Sequence, residues 1–399
     1  MNAISKITPA RGSEERSVPR EAVLTSATDP RGVITFAGSD FCDIAEYSAD
    51  QLLNAPHKIV RHDDMPKGVF YLMWDTLKAG KPICAYVKNR TANDNYYWVL
   101  ANVTLTENGY ISARIHPETK YFDLAKSLYE EMLAMESGGK SPEDSANWLL
   151  TQLQEKGIPN IETFSALLLD SEFKNRGIVT PQNEAIFALM DEITGLVTDM
   201  QKLAKNIETG FKRVRGEPVN LRILAGRLEG AGAALGTISQ NYDAMAQEMY
   251  ELLGRLYGED TGALADMFKA LSHGRSAQQF AQLLGEAIAH ENDSPTEGSQ
   301  IDVLINQHAR LEAVCEQRIR EISVAGKSIP DICRSLRRRI NGLDVVKLLC
   351  KVESGRMREV DSGLDGIIER LQAFHDNTDT SLAELSAKAS QIQQKMSAF

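Results

Sequence analysis

The sequence predicts an α+β domain, an antiparallel sheet with a helical flap on one face, followed by a mainly α-helical region that forms a coiled coil or bundle. Two observations carry this. From Ala22 to about His116 short β-rich runs alternate with turn signals, among them Asp29-Pro30-Arg31-Gly32, Ala79-Gly80-Lys81-Pro82 and Glu107-Asn108-Gly109. Beyond Pro117 the period changes. Ile186, Leu189, Met190, Ile193, Leu196, Val197, Met200, Leu203 and Ile207 recur at steps of three and four, the apolar stripe of a long amphipathic helix.

Residues 1–20 are polar, contain Pro9 and Pro19 and show no period, which reads as a flexible tail. The domain of residues 21–117 has strands expected at Val23–Thr28, Val33–Ala37, Cys84–Arg90, Tyr96–Thr106 and Tyr110–His116, with helices between the second and third, at Ala49–Leu53 and Pro66–Ala79. Such a sheet under a helical flap leaves room between its layers for a flat ligand. Residues 118–178 read as a helical connector, with a helix over Tyr121–Met135 broken at Ser137-Gly138-Gly139 and restarted by Ser141-Pro142 as N-cap and first turn. Thr180-Pro181 repeats that start signal and opens the long helices of 179–258, in which Gly216-Glu217-Pro218 separates the striped helix from Val219–Tyr257. The C-terminal helical output region, 259–399, is expected as Gly262–His290, a polar linker to Ser299, Gln300–Ala325, and a last helix from Ile329 onward. Leu224, Arg227, Leu228, Glu229 and Gly230 match Leu348, Lys351, Val352, Glu353 and Ser354, a trace of a duplicated helical unit.

The net charge of -11 opposes binding to nucleic acid or an anionic membrane, since either needs a basic patch to exchange for counterions. No apolar run approaches the roughly 18 to 20 residues of a membrane helix, and the N-terminus lacks the apolar core of a signal peptide, so a soluble, cytoplasmic protein is expected. The five cysteines have no C-x-x-C spacing and read as reduced thiols.

The most specific stretch is Pro56-His57-Lys58-Ile59-Val60-Arg61-His62-Asp63-Asp64-Met65-Pro66, followed by Trp74, Leu77-Lys78-Ala79-Gly80-Lys81-Pro82, Val87-Lys88-Asn89-Arg90 and Tyr96-Tyr97-Trp98-Val99. In order and spacing it resembles the PAS sensor domain of bacterial aerotaxis receptors, which carry versions of P-H-x-x-V-R-H-P-D-M-P, L-K-x-G-x-P, V-K-N-R and Y-W-V. The resemblance covers about residues 21–117. It implies a PAS fold, a noncovalently bound FAD whose oxidation state reports redox or oxygen status, and cofactor-binding or supporting roles for Arg61, His62 and Asp64 on the flap, Trp74 on the next helix, and Lys88, Asn89 and Trp98 on the sheet. A tryptophan there would stack on a flat ring, and Arg61 would meet phosphate. Each residue also has a plainer reading: Trp98 as sheet core, His62 and Asp64 as pins of the flap, Lys88 as a solvated strand charge. The sequence departs from the family at Asp63, where a proline is usual, at Ile83 in place of a tryptophan, at Asn93-Asp94-Asn95 in place of an Asn-Gly hairpin, and at Gly38-Ser39 in place of Asn-Asp. Haem is the alternative ligand, with His57, His62 or His116 as axial donor.

No kinase or cyclase signature follows. Gly139-Lys140-Ser141 is not a P-loop, because position 134 is alanine and a helix precedes it. Glu353-Ser354-Gly355-Arg356-Met357-Arg358-Glu359 is loosely similar to a chemoreceptor hairpin tip, although E-x-x-R pairs also arise on helices as ordinary salt-bridge partners. The expectation is a non-enzymatic signal-transduction protein, a homodimer through its helices, with a chemotaxis kinase complex as possible partner. The alternative is a cofactor-free PAS dimerisation module in a cytoplasmic scaffold.

Overall fold

The computed structural model describes residues 14–227, 232–258, 261–293, 301–356 and 364–398. The chain divides into two compact units, one of residues 1–184 with 275–315, the other of 185–274 with 316–399.

The first unit is built on a five-stranded antiparallel sheet: β1 (Leu24–Thr28), β2 (Ile34–Ala37), β3 (Ile83–Arg90), β4 (Tyr96–Thr106) and β5 (Gly109–Ile115). Spatial order is β2-β1-β5-β4-β3, so the last strand sits in the middle. The strands follow the expected runs to within a residue at each end. Between β2 and β3 lie α1 (Ser39–Ala45), α2 (Ala49–Leu52), a 3₁₀ turn (His57–Val60) and α3 (Lys67–Lys78), which form the flap. Helix α2 is held by a capping box between Ser48 and Gln51. Helix α1 was not expected; its capping residue is Glu291, whose Oε1 accepts from Ser39 N and Oγ at 2.5 and 2.9 Å.

Three helices follow the sheet, α4 (Lys120–Ser137), α5 (Pro142–Glu155) and α6 (Ile161–Arg176); α4 reaches the face opposite the flap, and α5 packs against α3 and α4. Ser141 caps α5 and Pro142 fills its first turn, as the sequence indicates. Helix α6 packs on β3 and β4. Part of the expected tail is tied to the sheet: Arg16 N donates to Tyr96 O at 2.7 Å, Tyr96 N to Glu14 O at 3.1 Å, and Val18 is buried. Residues 1–13 lie outside the described residues.

The remaining elements are helices: α7 (Pro181–Val214), α8 (Glu217–Arg227), α9 (Gly232–Tyr257), α10 (Ala263–Asp293), α11 (Asp302–Arg356) and α12 (Leu364–Ala398). One helical expectation is corrected. Pro330 lies inside α11, and no break separates Ala325 from Ile329; the stretch expected to run from Ile329 to the C-terminus is instead two helices, α11 and α12. Of the bundle or dimer expected to cover the stripe on α7, the chain itself supplies a bundle: Ile193, Val197, Met200 and Ile207 belong to a core shared with residues of α9, α11 and α12, including Tyr242, Leu336 and Leu385. Residues 228–230 of the suspected repeat, 357–359 of the hairpin-tip motif and 294–299 of the polar linker lie outside the described residues.

Candidate functional site

Between the sheet and the flap lies a cavity of about 340 Å³, at the small end of the ~300–1,000 Å³ usual for ligand pockets. Ser26, Thr28, Ser112 and Arg114 line it from β1 and β5, Val87 and Asn89 from β3, Ala101 and Val103 from β4; Phe70, Met73 and Trp74 of α3 close it from the flap side. Arg31, Lys58 and Arg61 also line it, the first two exposed and Arg61 half-buried.

Of the seven residues singled out from the sequence, Arg61, Trp74 and Asn89 line this cavity. The Arg61 guanidinium lies 3.8 Å over the Phe70 ring, and an isolated backbone bridge pairs Arg61 with Asn89. Trp74 is 38% exposed and meets Tyr110 edge-on at 5.3 Å, so the indole stands at the rim. Asn89 is buried, and its Nδ2 has only a loose approach to the Tyr97 hydroxyl.

His62, Asp64 and Lys88 form a separate cluster outside the cavity lining. Lys88 Nζ donates to Asp64 Oδ2 at 2.6 Å and lies 4.2 Å over the Tyr96 ring; Asp64 N donates to His62 Nδ1 at 3.1 Å. The lysine hydrogen bond holds the Asp64 carboxyl below its usual range, and burial followed by the Lys88 charge lowers His62. These contacts pin the segment before α3 to the edge strand. Trp98 is on the opposite face of the sheet, 5.3 Å from Phe122 and 6.5 Å from Tyr129 of α4. Register explains this: Asn89 pairs with Tyr97 and Lys88 with Trp98, and successive strand residues point to opposite faces, so Asn89 and Trp98 cannot both face the ligand side.

The residue that sequence reasoning missed is Arg114. It is 4% exposed, and its Nη2 donates to His57 Nε2 at 2.7 Å and to Ser26 Oγ at 3.1 Å. Because a guanidinium only donates, Nε2 is the accepting nitrogen and the ring proton is on Nδ1. The imidazole is stacked on Phe41 of α1, interplanar angle 4°. Burial, then the Arg114 charge, pushes His57 down to about 3; burial lowers Arg114 to about 10, which leaves it cationic at neutral pH. Among the three candidate haem donors only His57 lines the cavity, and its free nitrogen lone pair is already taken by Arg114.

The His57 shift has a measurable consequence. The unfolded chain protonates this histidine below about pH 6.5, whereas the folded domain does so only near pH 3, so the unfolded state binds the extra proton between those values. Stability is therefore complete above about pH 6.5 and falls, by ~1.4 kcal/mol per pH unit from this group alone, as pH drops toward 3. Denaturant titrations at several pH values should show a shallower acid slope in His57→Gln than in the parent; equal slopes would remove His57 from the account.

The donors and ring surfaces fit a flat heteroaromatic ligand. Arg114 Nη1 is a buried donor without an acceptor among the described residues, and Asn89 Nδ2 has only a loose approach to the Tyr97 hydroxyl; unpaired buried donors are costly enough to be rare, and carbonyl groups on a ring edge would satisfy both. Trp74, Tyr110 and Phe70 offer aromatic surface, and Arg31, Lys58 and Arg61 offer positive charge to a diphosphate. An FAD would thus be held by Asn89 and Arg114 at its ring and by the arginine and lysine group at its phosphates. The chemistry it supplies when bound is reversible electron uptake. Among the described residues no group of His, Cys, Asp and Glu is placed to hold a metal ion.

Comparison with known proteins agrees with this architecture. The family model of the PAS fold matches residues 34–115. The aerotaxis receptor of Escherichia coli (strain K12) is 40% identical over 117 residues, which is 29% of this chain and 22% of the receptor. The nitrogen fixation regulatory proteins of Klebsiella pneumoniae and Klebsiella oxytoca are 31% and 30% identical over 87 residues, 22% of this chain and 18% of each of them. The chain thus spans about a fifth of the length of these curated relatives, and the likeness to the receptor falls over the PAS region. Fold, motifs and matched region coincide: residues 34–115 of this chain are a PAS domain, similar to that of the aerotaxis receptor, and a mainly helical region follows it.

Proposed function

We propose that this chain is a redox or oxygen sensor that binds FAD in its PAS cavity and relays the state of the flavin through its helices to a signalling partner of the chemotaxis-kinase kind. The observation that carries the reading is the attachment of the cavity's lid. Helix α3, which supplies Phe70, Met73 and Trp74 to the cavity, has no side-chain cap of its own; Glu136 of α4 supplies one, with Oε2 accepting from Lys67 N at 2.9 Å and Oε1 from Gly68 N at 2.8 Å and from Ser145 Oγ of α5 at 2.7 Å. A carboxylate at a helix N-terminus satisfies orphan donors and the helix dipole together. A shift of α3 on a change in the ligand therefore pulls directly on the α4–α5 pair, and residues 118–178 serve as the connector.

Among the described residues no helix is long and apolar enough to cross a membrane, which supports a cytoplasmic site of action. Homodimerisation is proposed on α11, where Val345, Leu348, Leu349 and Val352 are 58, 60, 40 and 45% exposed at three- and four-residue spacing. No catalytic role is proposed.

The test is the visible spectrum of the purified full-length chain. Flavin bands that bleach with dithionite are expected. Arg61→Ala should weaken FAD by about tenfold, ~1.4 kcal/mol, and leave riboflavin, which has no phosphate, nearly unaffected; Trp74→Ala should weaken both. A protein that is colourless and remains so after incubation with FAD would leave the cofactor-free dimerisation module as the reading.

A further inference from the structure

We propose that Arg114 is the anion-recognition group of the cavity, so that the site prefers a flat heteroaromatic ligand carrying negative charge on its ring edge and, with a flavin there, favours the reduced ring in its anionic form. The inference rests on the flavin reading above and adds which state of the ligand the site selects. Arg114 is the structural anomaly of the domain. It lies in the central strand with Nη1 unpartnered, and among the described residues no carboxylate lies within ion-pair distance of it. Its hydrogen-bond partners, His57 and Ser26, are neutral. Buried charges are ordinarily paired because desolvating them alone is costly, so this positive potential awaits a charge from outside the chain.

The surroundings keep it available. The titratable groups that face Arg114 are His57 from the 3₁₀ turn and Tyr97 from β4. His57 is neutral because the guanidinium beside it and burial both oppose protonation, and burial raises the Tyr97 hydroxyl well above its ordinary range, so neither supplies a counter-charge near neutral pH. The remaining polar neighbours, Ser26 and Ser112, bond each other at 3.1 Å. Negative charge in the cavity therefore comes from the ligand alone. A ring that takes up two electrons and one proton carries one net negative charge; one that takes up two electrons and two protons carries none. A fixed cation at the ring edge lowers the free energy of the first relative to the second, and raises the reduction potential.

The number of protons taken up is read from the pH dependence of the midpoint potential, about 30 mV per pH unit for each proton in a two-electron couple. The full-length holoprotein is titrated with dithionite against a reference dye on the acid side of neutrality, alongside Arg114→Met and Arg114→Lys. The parent and the lysine variant, which retain the charge, should show about 30 mV per pH unit. The methionine variant should show about twice that, with a potential lower by at least ~30 mV, equivalent to a tenfold loss of preference for the reduced form. A two-proton slope in the parent, or a slope in a flavin-loaded Arg114→Met equal to the parent's, overturns the proposal while the flavin reading stands. Should Arg114→Met fail to fold, a two-proton slope in Arg114→Lys overturns it equally. If the parent takes up no flavin, the function proposed above falls first, and this inference with it.

Discussion

Replacing Glu172 with alanine is expected to destabilise the PAS-bearing unit by about 3–5 kcal/mol, the largest effect of any single side chain on the outer side of the sheet. This carboxylate of α6 is 1% exposed. Its Oε1 accepts from Tyr86 Oη of β3 at 2.7 Å, from Thr119 N at 3.0 Å and from Thr119 Oγ1 at 2.8 Å, and its Oε2 from Glu118 N at 2.9 Å. One side chain thus joins α6, the middle of an edge strand and the first residues of the connector. Alanine would take this acceptor from the Glu118 and Thr119 N–H groups and leave the Tyr86 and Thr119 hydroxyls only each other, 3.3 Å apart, each lost bond costing ~1–3 kcal/mol where water cannot enter; the donors of Glu118 and Thr119 lie nearer the surface and recover part of the loss. The midpoint should fall by roughly 6 to 20 °C for a unit of this size. Glutamine keeps the volume and one acceptor oxygen and should cost less than half as much. Tyr86→Phe should cost ~1–2 kcal/mol in the parent and less in the alanine background, where only the 3.3 Å contact with Thr119 Oγ1 is left to lose. Additive losses in that cycle, or an alanine variant within 1 kcal/mol of the parent by denaturant titration, would show that α6 is held by its apolar face instead.

The contrast between Trp74 and Arg114 shows what the sequence can and cannot disclose about the site. Strands of the sensor domain and helices of the connector were legible because their signals are local: period-two runs, Gly and Pro turns, Ser141-Pro142 at a helix start. Motif spacing singles out Arg61, Trp74 and Asn89, and all three line the cavity. Arg114 was not legible, because one arginine in a seven-residue strand reads as solvated unless the strand is known to be central, and β5 becomes central only through pairing with β1 and β4, which are far apart in sequence. Helix α1 was hidden for the same kind of reason, since the carboxylate that caps it, Glu291, is 252 residues from Ser39. Trp98 was misplaced by an error that strand parity alone exposes: with Asn89 in the cavity and Lys88 opposite Trp98, the indole belongs to the other face. Helix α6 conceals its amphipathicity because Glu172 and Arg176 are buried along with Phe164, Leu168 and Phe173, so a charged residue in its sequence does not mark the solvent side.

A bulky residue at Gly68 is expected to separate the lid from the connector, with effects on stability and on signalling that can be read apart. Gly68 lies in the first turn of α3, where a Cβ would stand 2.9 Å from Ala146 N and from Met132 Cε and closer still to Ser145 Oγ. The methionine can rotate away, but the backbone nitrogen of α5 cannot, so Gly68→Val must push α3 off the α4–α5 pair. Overpacking of this kind costs ~1–3 kcal/mol, and here it also lengthens the Glu136 bonds to Lys67 N and Gly68 N, which lose much of their strength beyond ordinary hydrogen-bond distance. Glu136→Gln offers the milder comparison, since it removes the charge at the helix N-terminus without a clash and should cost ~0.5–1 kcal/mol. Hydrogen exchange on oxidised and dithionite-reduced full-length protein provides the signalling readout. In the parent, reduction should change protection over residues 120–155; in Gly68→Val that change should vanish while the flavin remains bound, because Met73 and Trp74 of the cavity lining are about one and a half turns further along the helix, with Phe70 alone nearer, about half a turn away. If the valine variant keeps a reduction-dependent change in α4 and α5, the relay does not pass through the lid, and the sheet's outer face, where Tyr86 meets Glu172, becomes the route to examine.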